Sequence, residues 1–495
     1  MTKNTSSKKV LLNSIIYSVS GIITKCFSFF LMPLYTVYLT TEDYGITSLA
    51  ASFASVMCYL VSFSLFSAIK RFYVDLKEQP EKLKRFYGSV VTFVFLSGLV
   101  FGAIFTIGRA YVSKYLFSGI DYYPVIFVCL ISLVFHCEQM IFDNIMKSQQ
   151  KAFKSSISSM GFFFLTVLFN ILFVVVLKQG ALGSILAGTL AYIIYTVYFV
   201  VEMLATKKIV FCLDWKLLKS ALNYSLPIMP HNLSTHIAVF VSKILIGGTT
   251  SLANVGIYAV ASQFATIADT IQYYVSSAYG PWLYEKLHLK EGSYKQSIRD
   301  TSKLLSGIIG VLMIGIALFA HDYIVLFIDK SYIGAWKYVP LIVTVYVIKI
   351  IYYFYVEVLF YYKKASRLLF VATLSSSILN VLFSAFLIPL FGVCGSIYAD
   401  ILAMLIRVSI VVAISMKFEN IGLHVKDFII NAVSIIAFIF IGLILSFMKY
   451  QNVFSIYNFI YKVLIVIFYC VYILALNRKL FISYFNILMR KMGRF

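Results

Sequence analysis

The amino-acid sequence predicts an all-α polytopic membrane protein with about fourteen transmembrane helices. Three observations predict it. Apolar runs recur from residue 11 to residue 476, most of them close to the ~20 residues that cross a hydrocarbon core. The runs are continuous rather than alternating, as helices require and barrel strands do not. Hydrophobic residues make up 61% of the 495 positions and charged residues only 13%, against about 45–50% and 25% in soluble domains, and no stretch between runs could form a soluble domain.

The expected spans are 11–36, 46–69, 86–107, 123–146, 153–177, 181–205, 220–247, 253–280, 303–320, 339–362, 366–388, 393–416, 428–448 and 456–476. The first follows a short basic stretch, Met1 to Lys9. It is too long for a signal-peptide core, lacks a small-residue cleavage site and carries Lys25 in mid-run, so it reads as a retained helix. The third holds Gly98 and Gly102, a small-xxx-small packing pair. The seventh holds Pro227 and Pro230, which predict a bend. With the N-terminus inside, loop Lys and Arg residues favour the cytoplasmic side by roughly five to one, as the positive-inside rule demands. Both termini are then cytoplasmic. Topology explains the net charge of +22, and a nucleic-acid partner is not needed.

The two halves of the chain echo each other. Tyr44-Gly45-Ile46 with Ala50, Phe53 and Ala54 matches Val255-Gly256-Ile257 with Ala261, Phe264 and Ala265. Asn170-Ile171-Leu172-Phe173 matches Asn380-Val381-Leu382-Phe383, and Gly180 through Ala187 matches Gly392 through Ala399. The spacing is about 211 residues throughout. Six helices separate the copies, and an even number preserves orientation, so the repeats are parallel about an axis along the membrane normal, a design found in alternating-access transporters. The expected organisation is a six-helix bundle over 1–210, a second over 211–420, and two extra helices with a basic tail over 421–495.

Ionisable groups at membrane depth are costly and mark functional sites. Here they are Lys25, Glu138, Asp143, Lys243, Asp269, Lys349, Glu357, Asp400, Arg407 and Lys462. Lys25 shares a helix face with Ser14, Ser18, Gly21 and Ser28. Lys243 shares one with Asn232, Thr235, His236 and Ser242, and Asp269 with Ser262, Thr266, Tyr273 and Ser276. The first and seventh segments thus each present a cation on a polar stripe. Lys25, Lys243, Lys349 and Arg407 are the expected lining of one shared basic cavity; Glu138, Asp269, Asp400, His236 and Tyr273 are its candidate ion-coupling or polar groups. Lys462 near a helix end is expected to snorkel to the interface, Glu202 to face water, and Asp143 to reach the interface. The cysteines (Cys26, Cys58, Cys129, Cys137, Cys212, Cys394, Cys470) form no CxxC pair, and His231 and His236 lack ligand partners, so neither disulfide nor metal site is expected. No glycine-rich phosphate loop and no catalytic constellation stand out, so neither ATP binding nor an enzyme is expected.

The chain resembles the polysaccharide-transport family of bacterial lipid-linked oligosaccharide flippases, within the multidrug/oligosaccharidyl-lipid/polysaccharide superfamily. The resemblance rests on Pro33-Leu34-Tyr35-Thr36 followed by Tyr44-Gly45, on Arg71-Phe72-Tyr73, and on Ser225-Leu226-Pro227-Ile228-Met229-Pro230. It continues with Val255-Gly256-Ile257-Tyr258, Pro281-Trp282-Leu283-Tyr284, Asn380, Pro389, Gly392 and Gly395. It departs from the family pattern at Val37, where an arginine is frequent, and at Ser242-Lys243, where an Asp-Arg pair is frequent. The resemblance implies a flippase for undecaprenyl-diphosphate-linked oligosaccharide, an O-antigen or capsule repeat unit, with no cofactor beyond coupling to Na+ or H+. The implied partners are that lipid-linked substrate, membrane lipids and other polysaccharide-assembly membrane proteins. The rival readings are a multidrug/cation antiporter, a lipid II flippase, and, in another class, a membrane polysaccharide polymerase or ligase.

Overall fold

The computed structural model describes Ile16 and residues 19–290, 292–362 and 368–478. Ser14, Ser18, the loop cations Lys363, Lys364 and Arg367, the tail beyond residue 478 and the Thr235 side chain lie outside what is described. Among the described residues the secondary structure is helical, without strands. Twelve helices are long and apolar enough to cross a membrane. They are α1 (Val19–Tyr38), α2 (Thr41–Val61), α4 (Pro80–Ile107), α5 (Tyr122–Ser148), α6 (Ala152–Val176), α7 (Gly180–Ala205), α11 (Tyr294–Phe327), α12 (Lys330–Tyr361), α13 (Leu369–Phe391), α14 (Val393–Phe418), α15 (Val425–Met448) and α16 (Ile456–Leu476). Two shorter helices, α3 (Leu65–Leu76) and α8 (Trp215–Ser225), run between them. Two more, α9 (Met229–Thr249) and α10 (Leu252–Leu289), are long enough at 21 and 38 residues but carry the polar stripes that lower their apolarity.

Several expected boundaries differ. The segment expected at 46–69 is two helices, α2 ending at Val61 and α3 beginning at Leu65, and the segment expected at 253–280 runs over Leu252–Leu289. The segment expected at 220–247 is two helices, because α8 ends at Ser225 and α9 begins at Met229 with Pro230 in its first turn. Proline lacks the amide that an interior helical turn would need, whereas the first turn has no use for it. The tandem prolines therefore break the chain rather than bend it. The segment expected at 303–320 extends over Tyr294–Phe327, which brings Asp322 into a helix interior.

The chain divides into two compact units, Met1–Ala259 with Ser384–Val393, and Val260–Phe383 with Cys394–Phe495. In the first, Asp43 serves two helix starts. It closes a capping box with Thr40 at the head of α2, and its other oxygen accepts the Ala181 amide at 2.9 Å at the head of α7. Gly180 sits there at φ +55°, where a Cβ would stand 2.8 Å from that carboxylate; glycine meets both demands.

A second close approach joins α2 to the head of α10. A Cβ on Gly45 would lie 2.0 Å from the Leu252 carbonyl oxygen and 3.1 Å from the Gly256 nitrogen. A Cβ on Gly256 would lie 1.9 Å from the Thr41 oxygen and 3.0 Å from the Gly45 nitrogen. The partners are those matched by the internal repeat, and each glycine meets the other's helix in the same way. Reciprocity of this kind is what a two-fold contact requires. Of the Gly98 and Gly102 pair, a Cβ on Gly98 would stand 3.2 Å from Val134, while Gly102 has open space before it.

In the second unit, α11 and α16 meet through charge. Lys462 is fully buried, with Nζ 2.7 Å from Asp322 Oδ2 and 3.1 Å from His321 Nδ1. His321 Nε2 lies 2.7 Å from the Tyr450 carbonyl oxygen. A carbonyl only accepts, so Nε2 carries the proton and Nδ1 accepts from the lysine. Lys462 is thus held inside the protein rather than snorkelling, because the longer α11 supplies a carboxylate at its depth.

Two stability measurements check this packing. Gly45→Ala or Gly256→Ala places a methyl group against backbone, and each should destabilise the purified protein by about 1–3 kcal/mol, whereas Gly102→Ala should leave the melting temperature unchanged. Asp322→Asn should cost about 3–5 kcal/mol by leaving a buried lysine unpaired, and adding Lys462→Met should recover most of that loss.

Candidate functional site

The membrane-embedded polar groups sort by unit. In the first, α9 faces α2 along a polar seam. Lys243 donates to the Ser48 hydroxyl and to the Ser52 hydroxyl, each at 2.7 Å, and to the Ser48 carbonyl at 3.2 Å. Ser48 and Ser52 are one turn apart, so one ammonium spans both. Ser242 beside it meets Ser384 at 3.2 Å. Two turns away, His236 Nε2 lies 3.1 Å from the Tyr59 hydroxyl, with the rings 4.8 Å apart. All these partners are neutral. They solvate the lysine's charge without cancelling it, which leaves the group fit to attract an anion.

Lys25 is exposed on α1. Glu138 is at the opposite extreme: on α5 it is 1% exposed and neither carboxylate oxygen has a hydrogen-bond partner. Ionised, it would bear the cost of an uncompensated buried charge, and the neutral acid avoids that cost. Asp143 accepts a hydrogen bond from the Tyr195 hydroxyl and is half-buried rather than open to the interface. Glu202 pairs with Lys154 with its side chain 21% exposed, rather than standing in water.

In the second unit, α10 and α12 bring Asp269 and Lys349 to 2.5 Å. The Tyr353 hydroxyl donates to the same Asp269 oxygen at 3.1 Å. Lys349 Nζ lies 5.3 Å from both the Tyr346 and the Tyr353 ring centres, within cation–π range. The Asp269 side chain is 41% exposed and the lysine 16%, so the carboxylate is the accessible end of the pair. Tyr273, one turn on from Asp269, is exposed beside Tyr274.

On α14, Arg407 donates to the Ser376 hydroxyl at 2.8 Å and the Ser377 hydroxyl at 3.4 Å. Asp400 accepts from the Asn380 side chain at 2.8 Å. Seven residues separate Asp400 from Arg407, and each uses neutral groups of α13. Glu357 is buried on α12 and accepts from Ser276 at 2.7 Å and Tyr284 at 2.6 Å. Gly280 stands between them, where a Cβ would lie 2.7 Å from Glu357 Oε2.

The structure therefore pairs Asp269 with Lys349, and sets Lys243 and Arg407 each on a pair of serines. The serine partners Ser48, Ser52, Ser376 and Ser377 escaped sequence reasoning, since isolated serines in apolar helices read as packing. The usable signal was hydroxyls one turn apart, or adjacent, opposite an embedded cation.

Comparison with known proteins adds a family and a fold. The model of the family described as "Polysaccharide biosynthesis protein" matches residues 10–286. The Lsg locus putative protein 1 of Haemophilus influenzae is 24% identical over 405 residues, spanning 79% of this chain and 96% of that protein. Among solved structures, the lipid II flippase MurJ in an inward closed conformation superposes with a TM-score of 0.72 at 15% identity, covering 94% of this chain and all of that one. An inward-facing multidrug resistance MATE family transporter of the MOP superfamily gives 0.53 at 13% identity, covering 85% and 94%.

One expectation tests the site directly. Asp269→Asn removes the counter-charge of Lys349. In the purified protein it should raise the affinity for inorganic diphosphate by about tenfold, the scale of one charge-assisted contact, whereas Glu138→Gln should leave that affinity unchanged.

Proposed function

This chain belongs to the polysaccharide biosynthesis protein family, and on that premise we propose that it is a flippase carrying undecaprenyl-diphosphate-linked oligosaccharide across the cytoplasmic membrane by alternating access. The observation that carries the reading is the treatment of embedded cations. Lys243 and Arg407 are held by serine hydroxyls and a carbonyl, not by carboxylates. A diphosphate can replace these weak partners with charge-assisted bonds, the stronger kind. Lys349 takes part by exchange: its partner Asp269 yields to phosphate oxygens. Lys25, exposed on α1, is the fourth phosphate-binding cation. Tyr273, exposed beside Tyr274, and His236 with Tyr59 offer rings and hydroxyls of the kind that stack on and hydrogen-bond to sugars.

The released Asp269 carboxylate is the best placed group for coupling to a proton or Na+, because it is accessible and changes partner with substrate; Asp400 and Glu138 are the second choices. Reciprocal binding follows from linkage: a cation that neutralises Asp269 frees Lys349 and strengthens diphosphate binding by the same factor that diphosphate strengthens cation binding. MurJ carries lipid II in its name, and a diphosphate-linked lipid is the chemistry this chain's cations favour. A multidrug cation antiporter would place acidic groups where this chain places lysines and arginine.

Translocation tests the proposal. Full-length protein is reconstituted with a fluorescent undecaprenyl-diphosphate oligosaccharide, and arrival in the far leaflet is followed by lectin or enzymatic accessibility. Lys243→Ala, Lys349→Ala and Lys25→Ala should each slow translocation at least tenfold while insertion and yield stay normal, and the control Lys330→Ala at the head of α12 should be unaffected. Wild-type rates in all three variants would contradict the proposal.

A further inference from the structure

Along the exposed side of α6 and α7 in the first unit lies an open apolar groove of about 530 Å³. Phe153, Ile157, Phe162 and Leu165 of α6 and Ile194 and Tyr198 of α7 form its walls. Gly161 forms its floor, and nothing lies within 4 Å of where a Cβ would stand. The groove is straight because its α6 members recur at helical spacing along one face. From Phe153 to Leu165 it runs about 18 Å at ~1.5 Å per residue, enough for most of an acyl chain.

At the cytoplasmic end assigned by the loop charges, Lys154 lines both this groove and a narrow cleft bordered by Gln149, Lys151, Glu202 and Lys208. Three lysines there face one carboxylate, and Glu202 is already matched by Lys154. Two positive charges are left over, on Lys151 and Lys208. Burial, and then the neighbouring charges of Lys208 and Lys154, hold the Lys151 ammonium below its usual range. Like charges brought together in a partly buried cleft call for an anion between them. Asp143, one helix turn from Lys147, is bonded to Tyr195 of the groove lining.

We propose that the groove and its basic cleft form a binding site for an anionic phospholipid of the cytoplasmic leaflet, its phosphate on Lys151 and Lys208 and one acyl chain along Gly161. Basic pockets between membrane helices on the cytoplasmic side are suited to acidic lipid headgroups, and here the charge sits where an apolar channel of chain width begins. The site makes no use of the embedded cations Lys25, Lys243, Lys349 and Arg407, so it stands or falls apart from the transported substrate. A phospholipid seated there would brace α6 against α7 from the lipid side.

Native mass spectrometry of the full-length protein, titrated with dioleoyl phosphatidylglycerol or dioleoyl phosphatidylcholine, tests the site. Phosphatidylglycerol should be retained in preference to phosphatidylcholine. Lys151→Ala and Lys208→Ala should each lower its affinity about fivefold and act additively. Gly161→Phe, whose Cβ meets open space and whose ring enters the groove, should remove the same bound lipid while the melting temperature in lipid-free detergent stays unchanged. Equal retention of the two lipids, unchanged phosphatidylglycerol binding in the lysine variants, or preferential retention of undecaprenyl phosphate would each overturn the proposal. Because none of these readouts involves translocation, a failure here leaves the flippase reading intact, and failure of that reading leaves this one intact.

Discussion

A charge in hydrocarbon must find water, an opposite charge or a set of dipoles, and that requirement organises this protein more than any other. Insertion scales put each embedded cation at about 2.5–3.5 kcal/mol near mid-span. The chain answers in three ways. Lys462 is enclosed with Asp322 and a neutral His321. Lys349 is paired with a carboxylate that remains accessible. Lys243 and Arg407 are given neutral dipoles, serine hydroxyls and for Lys243 a carbonyl. The first arrangement is a structural fastening. The second can exchange partners. The third leaves charge unspent, and the functional reading grows from that difference.

The helices supply the positions. Hydroxyls one turn apart on α2 lie on one face and form a two-point cradle for Lys243, while the adjacent Ser376 and Ser377 of α13 are reached by two nitrogens of the forked Arg407 guanidinium. Close approach of backbones is secured by glycine: Gly45 and Gly256 admit each other's helices where any side chain would collide. The Lys462 cluster, by contrast, cannot be opened without exposing an unpaired charge.

Much of the fold was legible in the sequence because hydrophobic length and loop charge act directly on topology. The sequence match of Gly45 with Gly256 falls at positions where the two helices touch. Legibility failed where a partner comes from a distant helix. The Lys462 side chain looked terminal because Asp322 had been placed in a loop, and the extent of α11 decides otherwise. Pro227 and Pro230 announced a disturbance but not whether α8 and α9 would bend or part. In the candidate site, the cations were visible as isolated charges in apolar runs. Their serine partners were not, since a hydroxyl in a membrane helix usually bonds its own backbone four residues back, as Ser55 and Thr189 do here.

The account's central claim is that hydroxyl-held cations exist to receive a diphosphate. The most direct measurement is the binding of undecaprenyl diphosphate, undecaprenyl phosphate and undecaprenol to the purified full-length protein, across a range of salt concentrations. The account predicts affinity rising from the alcohol to the monophosphate to the diphosphate. Each phosphate-bearing ligand should lose at least tenfold in the combined Lys243→Gln and Arg407→Gln variant, while the alcohol is unaffected. Equal affinity for all three lipids, or a diphosphate preference that survives removal of both cations, would contradict it.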